Sequence, residues 1–184
     1  MEIKHLETKI IHHFNNASES EVTDGFSWYE RAHNECILLS QVFELPLSKV
    51  VGVVSALSPN NKWHRNLHDT WNFLDKPHLN TKVCTFKNQR RKALSILKSD
   101  GTDSTILGIL KGSKTQNFFN NILHYNSSDA VTVDLWAFRS VELDQSVKNF
   151  KITATAYKNV ADSLGIRPHQ LQAVVWGVVR GATA

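Results

Sequence analysis

The stretch Leu47–Leu57, LSKVVGVVSAL, constrains this chain more than any other. Val50, Val51, Val53 and Val54 leave it almost no polar face, and Pro46 and the Ser58-Pro59 pair bracket it. A proline can open a helix at its first turn, and the residue before a proline is driven out of the helical region. The stretch therefore reads as one helix, largely buried. A β-strand through VVGVV is the rival reading, because β-branched residues dominate it.

A helix that is apolar all round has to be covered by other elements. The rest of the chain supplies them at helical spacing. A short first helix is followed by a polar segment, Asn15 to Asp24, that reads as loop. Ser27-Trp28-Tyr29-Glu30 has the form of a capping box, with Ala32, Cys36, Leu39 and Phe43 recurring after it. Trp63, Leu67, Trp71 and Leu74 share one face of a helix over Asn60 to Leu74. Lys87 to Leu97 forms a helix with its basic residues outward. Asp103 caps Ser104 to Leu110, Gly112 breaks that helix, and Lys114 to Leu123 buries Phe118, Phe119 and Ile122. Asp134 caps Leu135 to Leu143. Tyr157, Val160, Ala161 and Leu164 face inward on a helix stopped by Gly165. Pro168 opens the last helix, with Leu171, Val174, Val175 and Val178 inward and Gly181 as its stop. The five tryptophans read mostly as core, with Trp136 available for stacking. The fold class is all-α, with helices too short and too numerous for a simple bundle.

The length of 184 residues suits one domain. With 41% hydrophobic and 21% charged residues the chain is neither disordered nor collagen-like. No apolar run approaches the roughly 18 residues of a membrane span. Two cysteines, Cys36 and Cys84, are too few for a disulfide framework or an iron–sulfur cluster, and the nine histidines show no metal-ligand spacing. His12 and His13 read as solvent-exposed. The first residues, with Glu2 and Glu7, do not have the form of a signal peptide. The expectation is a cytoplasmic protein, a monomer, with no metal and no cofactor.

The net charge of +4 and pI of about 9.1 are unevenly distributed. From Lys76 to Ser99 there is no acidic residue, while Lys76, Lys82, Lys87, Arg90, Arg91, Lys92 and Lys98 fall there. Lys111 and Lys114 sit in a second acid-free run, Ser104 to Ser128. A local excess of this kind suits a polyanion such as nucleic acid, and equally a solvated basic helix face.

Four motifs then occur in order. Val53-Val54-Ser55-Ala56-Leu57-Ser58-Pro59-Asn60-Asn61 is a buried helix ending in a Pro-Asn-Asn turn. Thr85-Phe86-Lys87-Asn88-Gln89-Arg90-Arg91-Lys92-Ala93 is a basic helix start. Leu110-Lys111-Gly112-Ser113-Lys114-Thr115-Gln116 is a hairpin between two short helices. Val133-Asp134-Leu135-Trp136-Ala137-Phe138-Arg139-Ser140 is an apolar run ending in an aspartate at a helix start. Together they resemble the helix–hairpin–helix DNA glycosylase superfamily, the group of endonuclease III and 8-oxoguanine glycosylase. The likeness covers the chain from about Phe26 onward. Leu110 stands where the family has its first hairpin glycine, and Trp136 where it often has histidine. The segment between Ala93 and Leu110 is shorter than usual, and no cluster-binding cysteines follow the last helix.

The resemblance implies a two-lobed scaffold, with residues 47–125 as the hairpin lobe and residues 1–46 plus 126–184 as the second, and double-stranded DNA across the cleft. It implies a DNA glycosylase with abasic-site lyase activity, of a compact kind that also occurs in phage genomes and would act in the host cytoplasm. The catalytic pair would be Lys114 and Asp134. A neutral lysine can attack C1′ and form a Schiff base, and a carboxylate stabilises the oxocarbenium-like sugar. Asn60 or Asn61 would fill the gap left by an extruded base. Lys87, Arg90, Arg91, Lys111, Gly112, Ser113, Thr115 and Arg139 would hold DNA, with Trp136 as a stacking platform. Read without the resemblance, Asp134 is a helix N-cap, Lys114 a surface lysine, and Asn60 and Asn61 turn residues. Two other functions fit the same residues: a transferase that modifies a hypermodified base in phage DNA, and a DNA-binding module without chemistry.

Overall fold

The computed structural model describes residues 2–181. Among them are ten α-helices and no strand: α1 (Glu2–Asn15), α2 (Glu19–Phe43), α3 (Leu47–Leu57), α4 (Trp63–Asp75), α5 (Lys87–Lys98), α6 (Asp103–Leu110), α7 (Ser113–Leu123), α8 (Leu135–Ser140), α9 (Val147–Leu164) and α10 (Pro168–Arg180). The chain is all-α. It divides into a central unit, Ala32 to Leu123, and a terminal unit made of the segments up to Arg31 and from His124 onward. The first division falls inside α2, not at position 46, where the turn signals lie. A switch between units in mid-helix leaves no breaker residue for the sequence to display.

The start of α2 differs from expectation for a related reason. The chain contains two Ser-x-x-Glu sequences, and the helix uses the earlier one. Ser18 N donates to Glu21 Oε2 at 2.8 Å, and Glu21 N donates back to Ser18 Oγ at 3.3 Å, a reciprocal capping box. Ser27 lies inside the helix, where its hydroxyl donates to the Thr23 carbonyl at 2.8 Å. Gly25 gives the intervening residues a loop-like look, but it has a packing reason. A Cβ there would lie 2.6 Å from Val174 N and 2.8 Å from Val174 Cα of α10.

In the central unit α3 is the axis, and it is a helix rather than a strand. Every residue from Val50 to Leu57 is buried, and α4, α5, α6 and α7 all pack on it. Gly52 lets the neighbours in, since a Cβ would stand 2.9 Å from Ile106 Cγ2 and 3.0 Å from Ile96 Cγ2. α4 turns a different face to the core than the tryptophan spacing suggests. It buries Asn66, Asp69, Thr70, Phe73 and Leu74, while Trp71 is 46% exposed and stacks edge-on with Phe43 at 5.0 Å. The polar members fit because they bond: Asn66 Nδ2 donates to the Val54 carbonyl of α3 at 3.0 Å. Asp103 is the first residue of α6 rather than its cap. Asp100 orders that turn, accepting from Thr102 N at 3.0 Å and Thr105 Oγ1 at 3.2 Å.

The core of the terminal unit is made of Leu6 and Ile10 of α1, Val131 and Val133, Ala137 and Phe138 of α8, Tyr157 and Val160 of α9, and Leu171 and Val175 of α10. Gly165, with φ 66°, ends α9 as expected, but Leu164 is 38% exposed. None of the five tryptophans is among the buried residues. Trp28, Trp63, Trp136 and Trp176 are half-buried and Trp71 is exposed, as suits a large ring with a polar N–H. His13 is half-buried with Nε2 3.2 Å from the Ser140 carbonyl, unlike the exposed His12.

His169 of α10 is buried, its ring edge against Tyr29 at 5.1 Å and its Nδ1 3.2 Å from the Ser128 carbonyl. Burial is the main cause that pushes its pKa down to about 4. Between pH 6.5 and about 4 the unfolded chain therefore binds a proton the native state refuses. Stability is full above that window, falls as pH drops through it, and levels off below it, by up to about 3 kcal/mol. Urea denaturation at pH 7 and pH 4.5 should show a smaller difference for His169→Gln than for the wild type.

Two glycine-to-alanine changes should act in opposite directions. At Gly108, where a Cβ meets nothing within 4 Å, alanine should stabilise by up to about 1 kcal/mol through helix propensity. At Gly25 the same change should destabilise by about 1–3 kcal/mol, because backbone atoms of Val174 cannot rotate away. Thermal melts of the two variants check the signs.

Candidate nucleic-acid interface

In the central unit, α6 and α7 form a helical hairpin joined by only Lys111 and Gly112. The left-handed residue of the turn is Lys111, with φ 59°, and not the glycine beside it. Gly112 is accommodated close to its neighbours, since a Cβ would lie 3.3 Å from Thr115 Oγ1. The carbonyls that end α6 are bonded from elsewhere. Gln116 Nε2 donates to Leu107 O at 2.8 Å, and Lys92 Nζ of α5 donates to Leu110 O at 2.6 Å. Lys111, Gly112, Ser113 and Lys114 are exposed. They lead into the first turn of α7, whose amides have no acceptor within the helix and carry the positive end of its dipole. Thr115 faces inward and donates to the Gly112 carbonyl at 2.9 Å. It braces the turn, so its hydroxyl is committed.

Lys114 is the exposed second residue of α7. The partly buried lysine of this region is Lys92 of α5. Burial, and then the charge of Lys111, hold the Lys92 ammonium below its usual pKa. Along α5, Lys87 and Arg91 are exposed. Arg90 is half-buried, with Nη1 donating to the Thr81 carbonyl at 3.3 Å, while its Nε is buried without a hydrogen-bond partner.

At the end of α3 the two asparagines separate in role. Asn60 is exposed and takes φ 58°, a left-handed conformation that asparagine tolerates well. Asn61 turns inward: its Nδ2 donates to Asp69 Oδ2 at 2.9 Å. The same carboxylate oxygen accepts from Cys84 N at 2.7 Å. Asn61 is therefore a structural pin, and Asn60 is the one of the two left exposed.

In the terminal unit, Asp134 caps α8. Its Oδ1 accepts from Trp136 N at 3.0 Å and Ala137 N at 2.9 Å. The helix runs only to Ser140, because the chain turns at Glu142 with φ 58°. Next to this cap Tyr157 is fully buried and hydrogen-bonded to Ser140 Oγ at 2.8 Å. Burial, with the charge of Asp134 adding to it, pushes the Tyr157 phenol well above its usual range. The Arg139 guanidinium lies 4.6 Å over the Trp136 ring, so a base stacking on that face would have to displace it.

Lys114 belongs to the central unit and Asp134 to the terminal one. Among the described residues no group of three His, Cys, Asp or Glu could hold a metal ion. No single helix there is long and apolar enough to cross a membrane. Both cysteines are free thiols, and burial pushes that of Cys36 up to about 12.

A family model described as a family of unknown function, DUF7178, matches residues 1–183, and the chain belongs to that family. No curated protein and no solved structure matches it.

The two bonds at Asp134 give a direct test of its structural part. Asp134→Ala should lower stability by about 1 kcal/mol, as for loss of an N-cap, whereas Asp134→Asn should stay close to wild type. Urea denaturation of the two variants checks this.

Proposed function

We propose that this protein binds duplex DNA and acts on an extruded base as a DNA glycosylase, on a helix–hairpin–helix glycosylase-like scaffold. The observation that carries the reading is the α6–α7 hairpin. A two-residue turn presents exposed Lys111 and Lys114 beside the first-turn amides of α7, within a stretch that holds no acidic residue. Donors and charge arranged this way suit a backbone phosphate. Lys111, Gly112 and Ser113 hold that phosphate, and Lys87 and Arg91 add contacts along the strand. Asn60 fills the space of the extruded base.

In this reading Lys114 supplies the nucleophile. Its nitrogen bonds to C1′ as the glycosidic bond breaks and the base departs with one amine proton; the C1′–O4′ bond then opens, O4′ takes the second amine proton, and a Schiff base is left. Asp134 stabilises the positive charge on the sugar while it keeps its hold on the two amides. Arg139 adds a cationic contact at the same helix, and Trp136 offers a stacking face once the guanidinium swings off it.

The test is a panel of oligonucleotides carrying damaged or modified bases, read for base release, with borohydride trapping on abasic DNA beside it. Wild type should release at least one base and form the trapped adduct. Lys114→Ala should lose trapping while binding DNA within about 1 kcal/mol of wild type, since one exposed charge is a small part of the total. Asp134→Asn should fold and lose roughly 10² or more in rate. Duplex affinity should fall linearly with log salt, by about 0.9 per neutralised phosphate. DNA binding with neither release nor trapping overturns the glycosylase reading in favour of a binding module. A mass change in the nucleoside without release points to the transferase.

A further inference from the structure

An open pocket of about 720 Å³ lies in the central unit, away from the hairpin residues, within the size range of small-ligand sites. It is lined by α4, by the loop that follows it, and by Arg90 of α5. Three permanent cations, Arg65, Lys82 and Arg90, face one carboxylate, Asp69. That carboxylate is 3% exposed and already accepts from Asn61 Nδ2 and Cys84 N. The pocket therefore carries positive charge in excess. Arg65 and Lys82 are exposed, and Arg90 is half-buried, held by its Nη1 bond to the Thr81 carbonyl at 3.3 Å.

The rest of the wall is of a different kind. Val83 and the imidazoles of His64 and His68 contribute, and more of the surface is carbon than nitrogen or oxygen. A bare phosphate would use the cations and leave this part unused. A planar, apolar-faced group joined to a phosphate uses both.

We propose that this pocket binds a nucleoside 5′-phosphate. Its phosphate pairs with the charges of Arg65, Lys82 and Arg90. Its base lies against Val83 and the imidazole rings. The source is either a free nucleotide or the 5′-phosphorylated end of a strand, since both present the same chemistry. The site shares only Arg90 with the residues expected to touch DNA, and its occupation needs neither Lys114 nor Asp134.

The experiment is titration of the full chain with dAMP, deoxyadenosine and inorganic phosphate, followed by calorimetry or by NMR of the histidine ring protons. The result expected is saturable binding of dAMP, with His64 and His68 ring signals shifting. Deoxyadenosine and inorganic phosphate should each bind at least about tenfold more weakly, since each lacks half of the recognition. Arg65→Ala with Lys82→Ala removes two exposed side chains and should leave the melting temperature close to wild type. It should weaken dAMP by about tenfold or more. Arg90→Lys should also weaken it, because an ammonium cannot replace a planar fork. Competition by a 5′-phosphorylated single strand, but not by its 5′-hydroxyl twin, identifies the strand end as the source. If neither strand competes, the free nucleotide is the source. No dAMP binding, equal binding of dAMP and inorganic phosphate, or unchanged binding by the folded double variant overturns the proposal. None of these readouts involves base release, so the pocket and the glycosylase reading fail or stand separately.

Discussion

The Asp69 carboxylate is the contact on which the central unit turns. A buried charge costs several kcal/mol unless hydrogen bonds replace its water. Here one oxygen takes Asn61 from the turn after α3 and the Cys84 amide from the loop before α5. The turn after α3, α4 and the loop before α5 are thereby tied at one atom. Loss of the carboxylate would remove the acceptor of Cys84 N and leave Asn61 Nδ2 with only its long bond of 3.4 Å to the Leu57 carbonyl. The same tie holds the loop that carries Lys82 and Val83 against α4, and so gives the pocket its wall.

Each unit also depends on a close approach made possible by a glycine. Gly52 admits Ile96 and Ile106 to α3, and Gly25 admits the Val174 backbone to α2. Neither has a positive φ; what each provides is the missing Cβ. The valine-rich helix is thus covered by α4, α5, α6 and α7, and its strand-like composition is overridden by burial. β-propensity is largely a measure of packing environment, and here the environment is helical.

In the hairpin, the polar groups that fix the backbone are distinct from those left exposed. Lys92, Gln116 and Thr115 spend their polar groups on the turn and on the end of α6, fixing its backbone. That leaves the exposed Lys111, Ser113 and Lys114 to face whatever approaches. Asp134 divides differently: its helix-capping bonds use one oxygen, Oδ1.

What the amino-acid order settled on its own is the helical class, the α3 segment to the residue, the Asp134 cap, the Gly165 stop and the proline start of α10. Each is a local matter of dihedral preference, periodicity or a side chain reaching its own backbone a few residues on. The basic character of Lys76 to Ser99 was equally open to reading, because charge needs no fold to be counted. The sequence could not say which Ser-x-x-Glu starts α2, since both satisfy the same local rule and only Val174 explains Gly25. Nor could it separate Asn60 from Asn61, or Lys92 from Lys114. Those distinctions depend on Asp69 and Leu110, which only folding brings near. The pocket had a faint trace in His64/His68 and Arg65/Asp69/Asn72, spaced to share helix faces. Lys82 and Arg90 join them through the loop held at Cys84, and that closure exists only in three dimensions.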